Sequence, residues 1–353
     1  MRLQLVQEVR TRSKDGARPT LLTLLLHTIN CEASFPSDML YSLLSLAEDG
    51  TQLVPYPDYT LSHFEVFTRW SNAWITHYQR MDIVSLVDTR NPDQIVGLPS
   101  WMRDWSRPSG SASNCPMLRG VWSGRVPSQV VNIEDRYLYS SGGEGNSHFR
   151  FENNTLFCNV FTCDVIDYVC EHIPPATRNG LPDFFTVLKQ RIFQVMAEVL
   201  PHTGDIFEHA DLVADVVRDF LDACIMGLHY DGSRRVHDLT EAYESFMEND
   251  DIAALRDNDP AGSSPWHVHI AAVMTGRRLA LTRHGQIGLV PLNAVEHHAV
   301  AVIQGCSVPV LIRKRPEGDG FSIVGECYFP RVMDGAVARR ADDRDEWQEL
   351  AFI

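Results

Sequence analysis

The sequence is short of positive charge. It has 31 Lys and Arg against 46 Asp and Glu, a formal net charge of -15. Neutralising a phosphate backbone needs a basic surface, so nucleic-acid binding is excluded as an expectation. No apolar run approaches the length of a membrane span; residues 21–26, LLTLLL, are too short and lie too far in for a signal peptide. The eight cysteines form no CxxC pair and no zinc-finger spacing, which predicts reduced, mostly buried thiols and a cytoplasmic protein. Neither GxGxxG nor GxxxxGK[ST] is present, nor GxSxG, HExxH, a kinase signature or an EF-hand loop. Dinucleotide, P-loop, hydrolase-elbow and zincin chemistries therefore have no foothold, and no cofactor is expected.

What the chain does have is helical periodicity first and strand alternation last. Residues 21–30 are apolar almost all round, as in a buried helix. Residues 35–47 carry Leu40, Leu43, Leu44 and Ala47 at helical spacing. Residues 55–82 begin as a Pro-rich turn and continue as a helix with Phe64, Phe67, Trp70, Trp74 and Tyr78 along one side, a core stripe. Residues 98–113 read as a loop carrying Trp101 and Trp105. Between 120 and 170, the segments RYLYS, FRFE, TLFCNVF and CDVIDYVC have period-two character. Helical spacing returns from 181 to about 230, where Asp211, Asp215, Asp219 and Asp222 share one face that is expected to meet solvent. Five short strands follow at 277–283, 285–290, 299–303, 309–315 and 321–329, and 346–353 could add an edge strand. The predicted class is α+β: a mixed helical region over 1–265, with strands near 120–170, then an antiparallel sheet or small β-barrel over 266–353, packed as one unit.

Candidate chemistry is sparse. His267 and His269, in WHVH, would share one face if that segment were a strand, but no third metal ligand is identifiable, so no metal is expected. His297 and His298 read as a surface turn. Cys306 and Cys327 have no assignable base and read as small core residues before nucleophiles. In GECYFPRVMDG, residues 325–335, Glu326 and Asp334 could be paired acids. The structural alternative has Glu326 binding backbone amides or an arginine such as Arg278, with Asp334 capping the turn at Gly335.

Several segments in order resemble fungal heterokaryon-incompatibility (HET) proteins, in the region downstream of the effector domain. They are CEASFPSDMLYSLLSLA, PDYTLSHFEVF, LPSWMRDWS, RRLALTRHGQIGLVP, QGCSVPVLIR and GECYFPRVMDG, spanning about 30–335. Phe35 and Ser37 stand where the family usually has Asp and Arg, and His297-His298 where Gly-Asp is usual. Only about 30 residues precede Cys31, so the effector domain itself is expected to be absent.

The resemblance implies a sensing region that could serve chemistry or recognition. The first expectation is a cofactor-independent natural-product cyclase or isomerase, of the kind that performs an intramolecular [4+2] cycloaddition on a hydrophobic small molecule. Such a reaction needs an apolar cavity and a few hydrogen-bond donors on a polarised carbonyl. Arg278, His267, Tyr328 and His298 are the candidate donors, with Trp101, Trp105, Glu326 and Cys306 lining the pocket. The alternative is a HET-like small-molecule sensor or regulatory protein that binds a HET-like partner without catalysis.

Overall fold

A computed structural model describes residues 18–87, 98–107, 117, 137–143, 145, 147–173, 181–199, 210–230, 236, 238–247, 265–316 and 318–353. The N-terminal half is helical: α1 Leu21–His27, α2 Asp38–Tyr41, α3 Gly50–Leu53 and α4 His63–Tyr78. Six of the seven residues of α1 are buried, as its all-round apolar sequence predicts. Helix α4 starts at a reciprocal capping box, in which the Ser62 hydroxyl accepts from the Glu65 amide and Glu65 accepts from the Ser62 amide. Its Phe67, Trp70 and Trp74 are wholly buried, so the aromatic stripe is core. Over 35–47 only α2 is regular α-helix, and turns follow. The Ser42 hydroxyl donates back to the Asp38 carbonyl and competes with the helix ladder, although Leu40, Leu43, Leu44 and Ala47 are buried as the spacing predicts.

The central strand is β2, Thr155–Val169, with β1, Phe149–Glu152, paired antiparallel to its start. The two expected segments TLFCNVF and CDVIDYVC are thus one strand, bent by a bulge between Thr162 and Asp164. The described part of RYLYS, 137–140, is not a strand. Helices α5 Leu181–Val199, α6 Ala210–Ile225, α7 Thr240–Met247 and α8 Pro265–Met274 come next. They are followed by β3 Arg277–Thr282, β4 Ile287–Pro291, β5 Ala299–Ile303, β6 Val310–Lys314 and β7 Phe321–Glu326. Helix α9, Ala336–Arg344, and β8, Gln348–Phe352, complete the order. The α+β class is borne out.

The strands close on themselves. Their order is β4-β3-β2-β5-β6-β7-β8, and β8 returns to pair with β2 from Leu156↔Phe352 to Val160↔Gln348. Strand β8 is therefore the closing strand and not an edge. A second closure comes from β4, whose Leu289 bridges Tyr328 just beyond β7. Inside the ring lie Ile166, Ala280, Val290, Val300, Val302, Leu311, Val324, Cys327 and Phe329, each at most 3% exposed. The alternate residues, such as Leu279, Leu281, Ala301, Ile303, Val310 and Ile312, belong to the larger core shared with the helices. Both strand faces are buried, which is why these strands read as nearly unbroken apolar runs.

The barrel is small because small residues set its bore. Ala280 faces Gly288 across β3 and β4. A Cβ at Gly288 would sit 2.3 Å from the Tyr328 carbonyl oxygen and 2.4 Å from Phe329 Cδ1. Gly288→Ala is therefore expected to destabilise the protein by about 1–3 kcal/mol through overpacking, read from the urea midpoint; an unchanged midpoint would refute this packing.

Candidate functional site

Helices α6 and α8 lie over the barrel, α6 against β4 and α8 against β3. Between helices and barrel runs a buried polar seam. Arg277, at the start of β3, points to the helical side. One guanidinium nitrogen donates to the Val273 carbonyl at 3.1 Å in α8, and another to Glu326 Oε1 at 2.8 Å. The second oxygen of Glu326 accepts the Met117 amide at 2.7 Å. Two residues on, Tyr328 is fully buried and donates its hydroxyl to Asp222 of α6 at 3.3 Å. Its ring lies 6.0 Å from Tyr139, whose hydroxyl donates to the Met226 carbonyl at 2.8 Å. Asp219, one turn before Asp222, accepts from Arg331 at 2.9 Å.

This seam corrects two expectations. The acidic face of α6 is not simply a solvent face: Asp215 is exposed, but Asp219 and Asp222 turn toward the barrel, and the side chain of Asp211 lies outside the described residues. Glu326 does bind an arginine and a backbone amide, but the arginine is Arg277. Adjacent strand residues point to opposite faces, so Arg278 shares the face of Ala280. It plugs one end of the barrel, donating to the carbonyls of Cys170 at 2.6 Å, Ala294 at 3.3 Å and Leu292 at 3.4 Å. Asp334 caps the turn at Gly335 as anticipated, accepting the Ala336 amide at 3.1 Å.

The other expected residues lie elsewhere. WHVH belongs to α8, a helix that Pro265 begins, and not to a strand. His267 and His269 therefore project about 200° apart. His269 donates to the Ile225 carbonyl at 3.1 Å, and the His267 ring packs 4.9 Å from Phe185. Among the described residues no group of three or more His, Cys, Asp or Glu could hold a metal ion. Trp101 and Trp105 are in a loop, as expected, but both are core. Trp101 packs on Phe151 of β1 and donates to the Asn154 carbonyl, and Trp105 meets Trp70 edge-on at 5.4 Å. Cys306 is fully buried, and burial pushes its thiol well above the ordinary range, which is the wrong direction for a nucleophile.

His298 is 4% exposed, not a surface turn. Its Nδ1 accepts the Val295 amide at 3.4 Å, and among the described residues its buried Nε2 has no hydrogen-bond partner. Burial, with repulsion from Arg313, pushes the imidazole down to about 4. The eight expected residues thus fall in separate places: Glu326 and Tyr328 in the seam with His267 nearby on α8, Arg278 and His298 around the turn after β4, the tryptophans against α4 and β1, and Cys306 beside Asp82. Arg277, Asp222 and Asp82 are the polar residues that sequence reasoning missed.

An open cleft of about 350 Å³ lies between β2, the end of α9 and the start of β8, lined by Phe161, Thr162, Arg340, Asp345, Glu346, Trp347 and Gln348. No described helix is long and apolar enough to cross a membrane.

Removing one partner of a buried ion pair leaves the other uncompensated, so Glu326→Leu should cost about 3–5 kcal/mol and the double variant Arg277→Met/Glu326→Leu should recover most of it; equal losses in both would show that the pair is not coupled. A free histidine titrates near 6.5, above the folded value for His298. As pH falls from about 6.5 toward 4, the unfolded chain takes up a proton that the folded chain refuses. The contribution of His298 is therefore intact above that window, is lost progressively through it and levels off below. His298→Asn should flatten the decline of stability between pH 6.5 and 4 in chemical denaturation; an unaltered slope would refute the assignment.

Comparison with known proteins agrees with this architecture. Residues 226–348 match the Het-6 beta-barrel domain. The chain is 23% identical, over 355 aligned residues, to Heterokaryon incompatibility protein 6, OR allele, of Neurospora crassa; the match covers 87% of this chain and 50% of that protein. The chain thus spans about half the length of the curated relative it matches. No solved structure matches it. Strand β2 lies outside the matched residues and yet is the central strand of the barrel. Residues 226–348 thus resemble the Het-6 beta-barrel domain, and most of the chain is similar to a heterokaryon incompatibility protein.

Proposed function

We propose that this chain is a recognition module of the HET family that binds a protein partner on the outside of its barrel. The observation that carries this reading is the filled bore: its core is apolar and at most 3% exposed, and Arg278 closes one end. A barrel packed in this way is a scaffold and not a ligand container. The expected cyclase or isomerase needs its donors gathered at one apolar cavity. Arg278 instead spends its guanidinium on backbone carbonyls, and Tyr328 and Glu326 tie the barrel to the rest of the chain. The Neurospora relative is named for heterokaryon incompatibility, and a partner-binding role is in keeping with that name.

The test mixes the purified chain with a HET-like chain from the same fungus and measures complex formation by calorimetry and light scattering. In parallel, an extract of that fungus is incubated with the protein and followed by mass spectrometry. A saturable complex and an unchanged extract are expected. Conversion of an extract compound to an isomer of the same mass would overturn the reading in favour of the cyclase.

A further inference from the structure

The cleft between β2, α9 and β8 combines three features that favour one kind of ligand. The first is charge. From 340 to 346 the chain reads RADDRDE, two arginines against four carboxylates, and Asp345 and Glu346 line the cleft itself. The second is the helix end. Helix α9 stops here on Asp345, in the left-handed conformation, so the negative end of the helix dipole meets the cleft. The third is aromatic surface. Phe161 and Trp347 form the walls; the half-buried Trp347 packs partly on the barrel core, and its indole N–H donates to Asp342 at 2.7 Å, which fixes the ring where it lines the cleft.

Arg340 already demonstrates the chemistry from within. Its guanidinium carbon lies 5.5 Å over the Phe161 ring, and its Nε is 3.4 Å from Glu346 Oε2. A guanidinium between an aromatic face and a carboxylate is what these walls hold well. At about 350 Å³ the space extends beyond that internal occupant, at the small end of the roughly 300–1,000 Å³ range of ligand clefts.

We propose that this cleft receives a basic side chain, arginine or lysine, from a protein partner, with Arg340 as the internal cation it competes against. The proposal rests on the recognition reading for the source of the side chain and on the cleft for its chemistry. An incoming cation is held by Asp345 and Glu346, faces Trp347, and gains where Arg340 gives way.

The probe is N-acetyl-argininamide, titrated into the full chain while the Trp347 indole N–H signal is followed by NMR; comparison with Trp347→Phe assigns that signal among the seven tryptophans. A saturable shift at millimolar probe is expected. The double variant Asp345→Asn/Glu346→Gln should weaken it about fivefold, as for two partly exposed ion pairs. Arg340→Gln should tighten it by a similar factor, because it removes the competitor. Absence of a saturable shift overturns the proposal. So does weaker binding in Arg340→Gln together with a response to N-acetyl-glutamine's acidic counterpart, N-acetylglutamate amide, since an anion site behaves that way. If the acid-to-amide variant forms the protein complex undiminished, the cleft proposal falls and the recognition reading stands. Probe binding with the expected variant pattern and no protein complex keeps the cation site and removes the partner as its source.

Discussion

One buried carboxylate holds the two halves of this protein together. Asp82 follows α4 and is fully buried. It accepts both the amide (2.6 Å) and the hydroxyl of Ser307, and its other oxygen takes the Arg80 Nε at 2.7 Å. Ser307 lies in the QGCSV turn between β5 and β6, so the link spans more than two hundred positions of sequence. Around it the backbone is stitched: Met81 donates to the Gly305 carbonyl, Ser141 to that of Ser307, and Gly142 to that of Cys306. A Cβ at Gly142 would fall 2.0 Å from the Ile303 carbonyl oxygen, so only glycine allows the approach. An isolated buried charge costs several kcal/mol. Asp82 therefore fixes where the helical half meets the barrel, because no nearby alternative arrangement would satisfy it.

The barrel obeys a related economy. Its strands present one apolar face to the bore and the other to the helices, so the sheet has no wet side within this core. Small residues, Ala280 and Gly288, make room for Phe329, and the bore closes. Arg278 then closes one end by binding carbonyls that the strand ends leave over. The polar seam does the same for the outer face: Arg277, Glu326, Tyr328 and Asp222 satisfy one another where α6 and α8 lie on the strands. Among the described residues of this protein of net charge -15, the buried carboxylates Asp49, Asp82, Asp164 and Asp219 each accept hydrogen bonds.

Much of this was legible in the sequence. The aromatic stripe of α4, the buried α1 and the five C-terminal strands follow from periods of 3.6 and 2, and GECYFPRVMDG is the end of a strand and its capped turn. What was not legible has identifiable physical causes. WHVH is apolar all round in its helix, so no period separates helix from strand, and Pro265 was the available signal. Arg277 and Arg278 are adjacent on a strand; alternation shows that they differ in facing but not which one meets the helices. Trp101 and Trp105 read as loop residues available to a ligand because sequence does not show that Trp70 and Phe151 come to cover them. Asp82 carries no local signature, since its partner is distant in sequence. The His298 turn read as polar surface, whereas strand pairing buries it: the Ile166 amide donates to the His298 carbonyl at 2.8 Å.

These misses share a consequence for function. A polar side chain can serve a ligand only if the fold does not already need it. Glu326, Tyr328, Arg277, Arg278 and Asp82 each close a contact between elements distant in sequence, and loss of any one would be felt as loss of stability before loss of activity. The groups at the end of α9 differ. Asp345 is exposed and Glu346 half-buried beside Phe161 and Trp347, and the ion-pair partners of Glu346 are arginines of its own segment, Arg340 at 3.4 Å and Arg344 at 3.8 Å. Such long, exposed pairs contribute little to stability and exchange partners at little cost. A molecule whose interior polarity is committed to its architecture has its freedom to recognise at contacts of this kind.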